Sequence, residues 1–145
     1  MIILAFDFGT KNIGVAVGQT YTQTARSLKS IQTKQQINIE KFKKLFNEWE
    51  PNTVIVGYPL NMDGTKQKIT QQSQTFSKKL KKIFKVPVLL HDERLSTVEA
   101  KSILFEKYGY KSLQKKNIDS MSAVVILESW FLHSNNLHRI IKNLE

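Results

Sequence analysis

Apolar positions change their spacing several times along the chain, and each change marks an element. Ile2 to Phe6 is a short unbroken apolar run closed by Asp7-Phe8-Gly9-Thr10. It reads as a central buried strand that ends in a glycine turn. Ile13 to Val17 resumes strand composition after a connection of Phe8 to Asn12, so the two strands should form an antiparallel hairpin. Ala25 to Ile31 supplies a third strand. From Gln35 to Glu50 the period lengthens: Phe42, Leu45, Phe46 and Trp49 fall at i, i+3, i+4 and i+7, the stripe of an amphipathic helix stopped by Pro51 and Asn52. Thr53 to Val56 is again a buried strand, halted by Gly57, Tyr58 and Pro59 and followed by a polar loop through Asn61, Asp63 and Gly64. Ile69, Phe76, Leu80, Ile83 and Phe84 mark a second helix, with Lys78, Lys79, Lys81, Lys82 and Lys85 on its outer side.

Val86 to His91, rich in β-branched and apolar residues, predicts a fifth strand that delivers Asp92, Glu93 and Arg94 at its end. Ser96-Thr97-Val98-Glu99 then has the form of a capping box, opening a helix that closes near Tyr108 and Gly109. Residues 110–118 are a basic connection. Asp119 opens a last helix that packs through Ala123, Leu127, Trp130 and Phe131. The later strand-helix-strand segments require parallel crossovers, whereas the opening strands are antiparallel. The expected class is therefore α/β, a mixed five-stranded sheet with helices on its faces. Residues 1–145 form one domain, with no repeat and too few residues for a second core.

Charge sharpens this picture. Twenty-two basic residues against twelve acidic ones leave a net charge of +10, a field that attracts polyanions, nucleic acid above all. There are no cysteines, which excludes a disulfide framework and cysteine-built zinc sites and fits a reducing, cytoplasmic setting. His91, His133 and His138 lack a zinc-ligand spacing. Neither Met1 to Phe6 nor Ala123 to Leu127 approaches the roughly 20 apolar residues of a membrane span, so no membrane association is expected.

The acids gather at the edges of apolar elements: Asp7 after the first strand, Asp92 and Glu93 after the fifth, and Asp119 at the last helix. Strand C-termini in a parallel arrangement share one edge of the sheet, so Asp7 and the Asp92/Glu93 pair can meet there. Converging carboxylates either take up protons or bind a cation, and an all-oxygen set suits magnesium or manganese. Taken singly, Asp7 also fits a turn, Glu93 a pair with Arg94, and Asp119 an ordinary N-cap. Asp-Phe-Gly also occurs in protein kinases, but this chain is too short for that fold and has no glycine-rich loop or His-Arg-Asp motif. Asp7 to Gly18 further resembles the phosphate loop of actin-like ATPases, which need two such domains and a glycine-rich nucleoside site; no Gly-Gly pair occurs here.

Four blocks in order, Asp7-Phe8-Gly9-Thr10 with Ile13-Gly14-Val15-Ala16, Val56 to Asn61 with Asp63-Gly64, Asp92 to Thr97, and Asp119-Ser120 with Ala123, resemble the YqgF family. These are the pre-16S ribosomal RNA nucleases, also called Holliday-junction-resolvase-like proteins. The resemblance implies an RNase H-like fold and a Mg2+- or Mn2+-dependent nuclease, with Asp7, Glu93 and Asp119 as catalytic and metal-binding residues and Asp92 as a further metal candidate. Precursor ribosomal RNA is the implied substrate. Branched DNA, or a binding module without catalysis, are the alternatives. Junction resolvases, related to this family, carry an acid after the fourth strand; here Gly57 to Asn61 offers none. Lys115, Lys116, Asn61, Lys66 and Arg94 are the candidate contacts to nucleic acid.

Overall fold

The computed structural model describes residues 1–33, 37–96, 102, 106 and 120–144, with the side chains of the last helix described as far as 134. β1 (Ile2–Asp7), β2 (Asn12–Gln19) and β3 (Thr24–Gln32) come first, followed by α1 (Ile39–Trp49), β4 (Thr53–Tyr58), α2 (Lys68–Phe84), β5 (Val88–Asp92) and α3 (Met121–Leu144). The strands lie in the order β3-β2-β1-β4-β5. β1 pairs antiparallel with β2 and parallel with β4, which in turn pairs parallel with β5. The expected mixed sheet of five strands, with helices on both faces, is what forms.

Alternation along β1 explains the two layers, because successive side chains on a strand point to opposite faces. Leu4 and Phe6 enter a core with Val54, Val56, Phe42, Phe46, Phe76 and Leu80, contributed by β4, α1 and α2. Phe6 sits at its centre, its ring 5.6 Å from Phe42 and 5.7 Å from Phe76. Ile3 and Ala5 face the other way, packing with Ile55 beneath Ala123, Val124, Ile126 and Leu127 of α3. Full burial of such a side chain stabilises the fold by about 1.5–3 kcal/mol, so both layers are needed to hold β1 in the middle.

Local chemistry sets the ends of the elements. α1 starts at Ile39 rather than Gln35, because the Asn38 side chain accepts from the Glu40 N–H and so caps it. At its other end Glu50 turns left-handed, at φ 46°, and donates its N–H to Phe46. Before α2, Thr70 Oγ1 accepts from the Gln67 N–H at 3.0 Å and donates to the Pro59 carbonyl. β5 begins at Val88, two residues later than its composition implies. Pro87 lacks an N–H for the ladder, although its carbonyl accepts from Val54. Ser96 closes a single 3-10 turn, Glu93–Leu95. Of the helix expected from Ser96 to Gly109, only Ser96, Ser102 and Glu106 are described, the last two helical, and the basic connection after it falls outside the described residues. Among those described, no helix is long and apolar enough to cross a membrane.

One contact ties the two ends of the chain together. The β2–β3 register shifts between Ile13 and Val15, and the Val15 N–H donates to Ser120 Oγ at 3.1 Å in the buried interior. A buried N–H left without an acceptor costs about 1–3 kcal/mol, so the serine that precedes α3 fixes where that helix begins on the sheet.

Candidate active site

β1, β4 and β5 present their C-terminal ends at one edge of the sheet. Asp7 is the last residue of β1, and it lies opposite Gly14 of β2. Two residues beyond Ala5, it takes the α3 face. The turn that follows is tight: a Cβ on Gly9 would lie 2.4 Å from the Asn12 carbonyl oxygen, so only glycine fits. Thr33, just past β3, clamps this turn, its hydroxyl lying 3.2 Å from the Gly9 carbonyl and 3.1 Å from that of Thr10. Nothing in the sequence pattern singled out Thr33.

Gly57 of β4 lies beside His91 in register and one residue beyond Val56, the partner of Phe6. It therefore occupies the lane next to Asp7, about 4.8 Å away across the sheet. A Cβ at Gly57 would fall 3.1 Å from Glu93 Cδ, 3.3 Å from Glu93 Oε2 and 2.5 Å from Ile126 Cδ1. The Glu93 carboxylate thus lies across the bare backbone of Gly57. A glutamate from the end of β5 fills the space that a missing side chain on β4 leaves open.

Asp92 is turned to another task. Its Oδ1 accepts the Arg94 backbone N–H at 2.9 Å, and its carboxylate receives Arg94 Nε at 3.0 Å and Nη2 at 2.6 Å. Hydrogen bonding by Arg94 holds the Asp92 carboxyl below its ordinary range, and Asp92 in turn raises the guanidinium. Arg94 also reaches the Met62 carbonyl at 3.4 Å, tying the end of β5 to the loop after β4. In that loop Asn61 Nδ2 donates to Thr65 Oγ1 at 2.9 Å, while Asp63 accepts from both the backbone and the hydroxyl of Thr65. The Thr65 bonds also keep the Asp63 carboxyl low. Gly64 makes the turn at φ 89°. Asn61 and Arg94 make these bonds within the protein while remaining exposed, as Lys66 is.

Removing the Arg94 guanidinium should be readable at Asp92. In Arg94→Gln the Asp92 carboxyl is expected to titrate upward toward the ordinary aspartate value of about 3.9. The sign follows from the depressed value: the ion pair contributes stability above the unfolded carboxylate range and loses it as pH falls through the lower folded value. Carboxyl-detected NMR titration checks this, and an unmoved Asp92 midpoint would show that Arg94 does not set it.

Behind Glu93, His91 is buried, and its Nε2 lies 2.9 Å from Ser129 Oγ of α3. His133 Nδ1 is 2.8 Å from the Ser129 carbonyl. Burial first, then His133, lowers the His91 pKa, against an opposing pull from Asp92, and the bond to Ser129 clips β5 to α3. Between these elements is a cavity of about 40 Å³, lined in part by Glu93, Ser96, Ser122 and Ser129. It has room for water but not for a nucleotide, so a substrate must lie outside it, along the sheet edge.

Asp7 and Glu93 are thus brought to adjoining lanes, and their hard oxygen donors suit magnesium or manganese. Among the described residues no three acidic or histidine side chains form a metal-holding group; Asp119, Lys115 and Lys116 lie outside those residues.

This sheet, with its leading antiparallel hairpin and flanking helices, has the RNase H-like fold. Thermus thermophilus RuvC has the same fold, with a TM-score of 0.63 at 14% identity, covering 94% of this chain and 97% of that one. The yeast mitochondrial Holliday junction resolvase Ydc2 superposes with a TM-score of 0.55 at 14% identity, covering 89% and 77%. Residues 1–133 match the RuvX family, described as "Holliday junction resolvase", and the chain belongs to this nuclease family, also called YqgF. A protein of Buchnera aphidicola subsp. Baizongia pistaciae, named "Putative pre-16S rRNA nuclease", is 75% identical over 137 residues, covering 94% of this chain and all of its own length. One of the same name from Pectobacterium carotovorum is 55% identical over 130 residues, 89% of this chain and 94% of its own.

Proposed function

We propose that this chain is a cytoplasmic, divalent-metal-dependent nuclease that hydrolyses phosphodiester bonds at the 5′ end of precursor 16S ribosomal RNA. The observation that carries the reading is the Glu93 carboxylate laid over Gly57 in the lane beside Asp7. The name carried by relatives of up to 75% identity supports the choice of substrate. Asp119 is assigned as the third acid because it immediately precedes Ser120, which is pinned to β2 beside the β1 pairing. Asp92 is assigned to positioning, since Arg94 occupies its oxygens. A divalent ion held by the acids would activate water and stabilise the leaving oxygen of the phosphodiester. Asp7 and Glu93 bind and orient; the His91–Ser129 clip keeps Glu93 at its post; Lys66, Lys115 and Lys116 draw the phosphate backbone toward the edge.

The family description favours a second reading, resolution of branched DNA. One panel separates them: a precursor 16S leader transcript and a four-way DNA junction, each incubated with purified protein in magnesium, manganese or chelator. Cutting of the transcript alone, and only with metal, is the expected result. Cutting of the junction alone would move the activity to DNA, and binding without cutting of either would reduce the protein to a nucleic-acid-binding module.

A further inference from the structure

Asp7 and Phe8 leave the end of β1 in opposite directions. Asp7 takes the α3 face, while the Phe8 ring packs on Phe76 of α2, 5.3 Å between centroids. Phe8 is only half-buried, and it forms part of the wall of an open groove of about 420 Å³. Lys68, Gln71, Gln72, Thr75 and Lys79 form the facing side. These positions recur along α2 at i, i+3, i+4, i+7 and i+11, a single stripe of one helix face. The eleven steps from Lys68 to Lys79 span about 16 Å, about three whole turns. Lys68–Phe84 contains no acidic residue, so nothing on that helix repels a polyanion.

An aromatic face beside a row of cations is the arrangement that takes up single strands, with the base stacked on the ring and phosphates on the lysines. A paired base has no face to offer Phe8. A cleft of about 290 Å³ by Ile2, Gln19 and Trp49 lies at the other end of the strands, and there the Arg26 guanidinium already covers the Trp49 ring at 5.2 Å. It carries no comparable argument.

We infer that the groove between Phe8 and α2 is a track for single-stranded RNA, stacking one unpaired base on Phe8 and seating the adjoining backbone on Lys68 and Lys79. The inference rests on the nuclease reading and gives it a substrate class: the strand is single where it approaches Asp7, and it crosses the sheet edge there to be cut. None of the remaining lysines of α2 lines the groove, although Lys82 continues the same stripe one step further along the helix, so the dense Lys78 to Lys85 cluster is not uniformly a binding surface. Lys81, thirteen residues beyond Lys68, falls on the opposite side of the helix.

Binding of a fluorescent oligouridylate, measured by anisotropy in chelator across a salt series, tests this without any cleavage. Failure of the nuclease reading would therefore appear in the cleavage panel and not here. In Lys68→Gln/Lys79→Gln the slope of log K against log salt should flatten by about 1.4, since each single-strand phosphate contact contributes about 0.7. Phe8→Leu keeps an apolar group on Phe76 and should weaken binding about 5- to 100-fold with the slope unchanged, as expected for one lost stack. Phe8→Tyr should restore it, which separates stacking from a folding defect. Lys81→Gln/Lys85→Gln should bind as the wild type does. Wild-type affinity and slope in both groove variants, or a slope loss confined to the Lys81/Lys85 pair, would overturn the inference.

Discussion

Asp7→Asn should lose cleavage by more than about 100-fold while its circular dichroism stays that of the wild type. Outer-shell partners of a catalytic metal already contribute 10- to 100-fold, so a direct ligand must exceed that range. The fold should survive because the core on either side of β1 is complete without Asp7: Ile3 and Ala5 fill one face, Leu4 and Phe6 the other. Without metal the substitution removes a charge facing Glu93, so its melting temperature in chelator should equal or exceed the wild-type value. Added manganese should raise the melting temperature of the wild type only. A ligand at a hundredfold excess over its Kd contributes about 2.7 kcal/mol, well within reach of a melting curve. The same manganese shift in Asp7→Asn as in the wild type would remove Asp7 from the ion, and unimpaired cleavage would remove it from the reaction.

Gly57→Ala is the second large effect, and it comes from a residue with no chemistry of its own. The added methyl group meets Ile126 Cδ1 at 2.5 Å and Glu93 Cδ at 3.1 Å. Overpacking of this kind costs about 1–3 kcal/mol. The isoleucine terminus, the far end of a flexible side chain, can be relieved by a second change, Ile126→Val, whereas the carboxylate must shift by a few tenths of an ångström from its place over β4. Gly57→Ala is therefore expected to lower both the melting temperature and kcat, the latter about 10- to 100-fold, and Gly57→Ala/Ile126→Val to regain stability without regaining kcat. Full recovery of kcat in the double variant would show that packing, and not the Glu93 carboxylate, makes Gly57 necessary.

Legibility in the sequence followed the range of the interaction. Ile2 to Phe6 and Thr53 to Val56 were readable as buried strands because strands covered on both faces are apolar at every position. The hairpin from Asp7 to Ile13 was readable because its connection is too short for a crossover. The neighbours of β4 were not readable, since strand order is set by packing between distant segments. The closeness of Glu93 to Gly57 was unreadable for the same reason: the glycine shows only a missing side chain until Glu93 is seen lying on it. The sequence offered Glu93 as a partner for Arg94; in the fold the fork closes on Asp92, because a 3-10 turn begins there and puts the Arg94 N–H within reach of Asp92. The local pairing of Asn61 was not readable either: the turn at Gly64 brings Thr65 back to it. His91 reads as an ordinary strand residue, and its bond to Ser129, 38 positions away, has no local signature.

The hydrogen bond from Val15 to Ser120 joins positions 105 residues apart, and so it sets an order of assembly. As the chain leaves the ribosome, β1 and β2 appear first and can pair at once, carrying Asp7 to its place. The acceptor for the Val15 N–H, and Asp119 beside it, emerge only after every strand has been made. A chain interrupted at any earlier point can hold part of the sheet but lacks the last of the proposed acids. Loop closure over that length is slow compared with hairpin formation. On the proposed assignment of Asp119, a nuclease built this way completes its set of acids only once the whole sheet has been made.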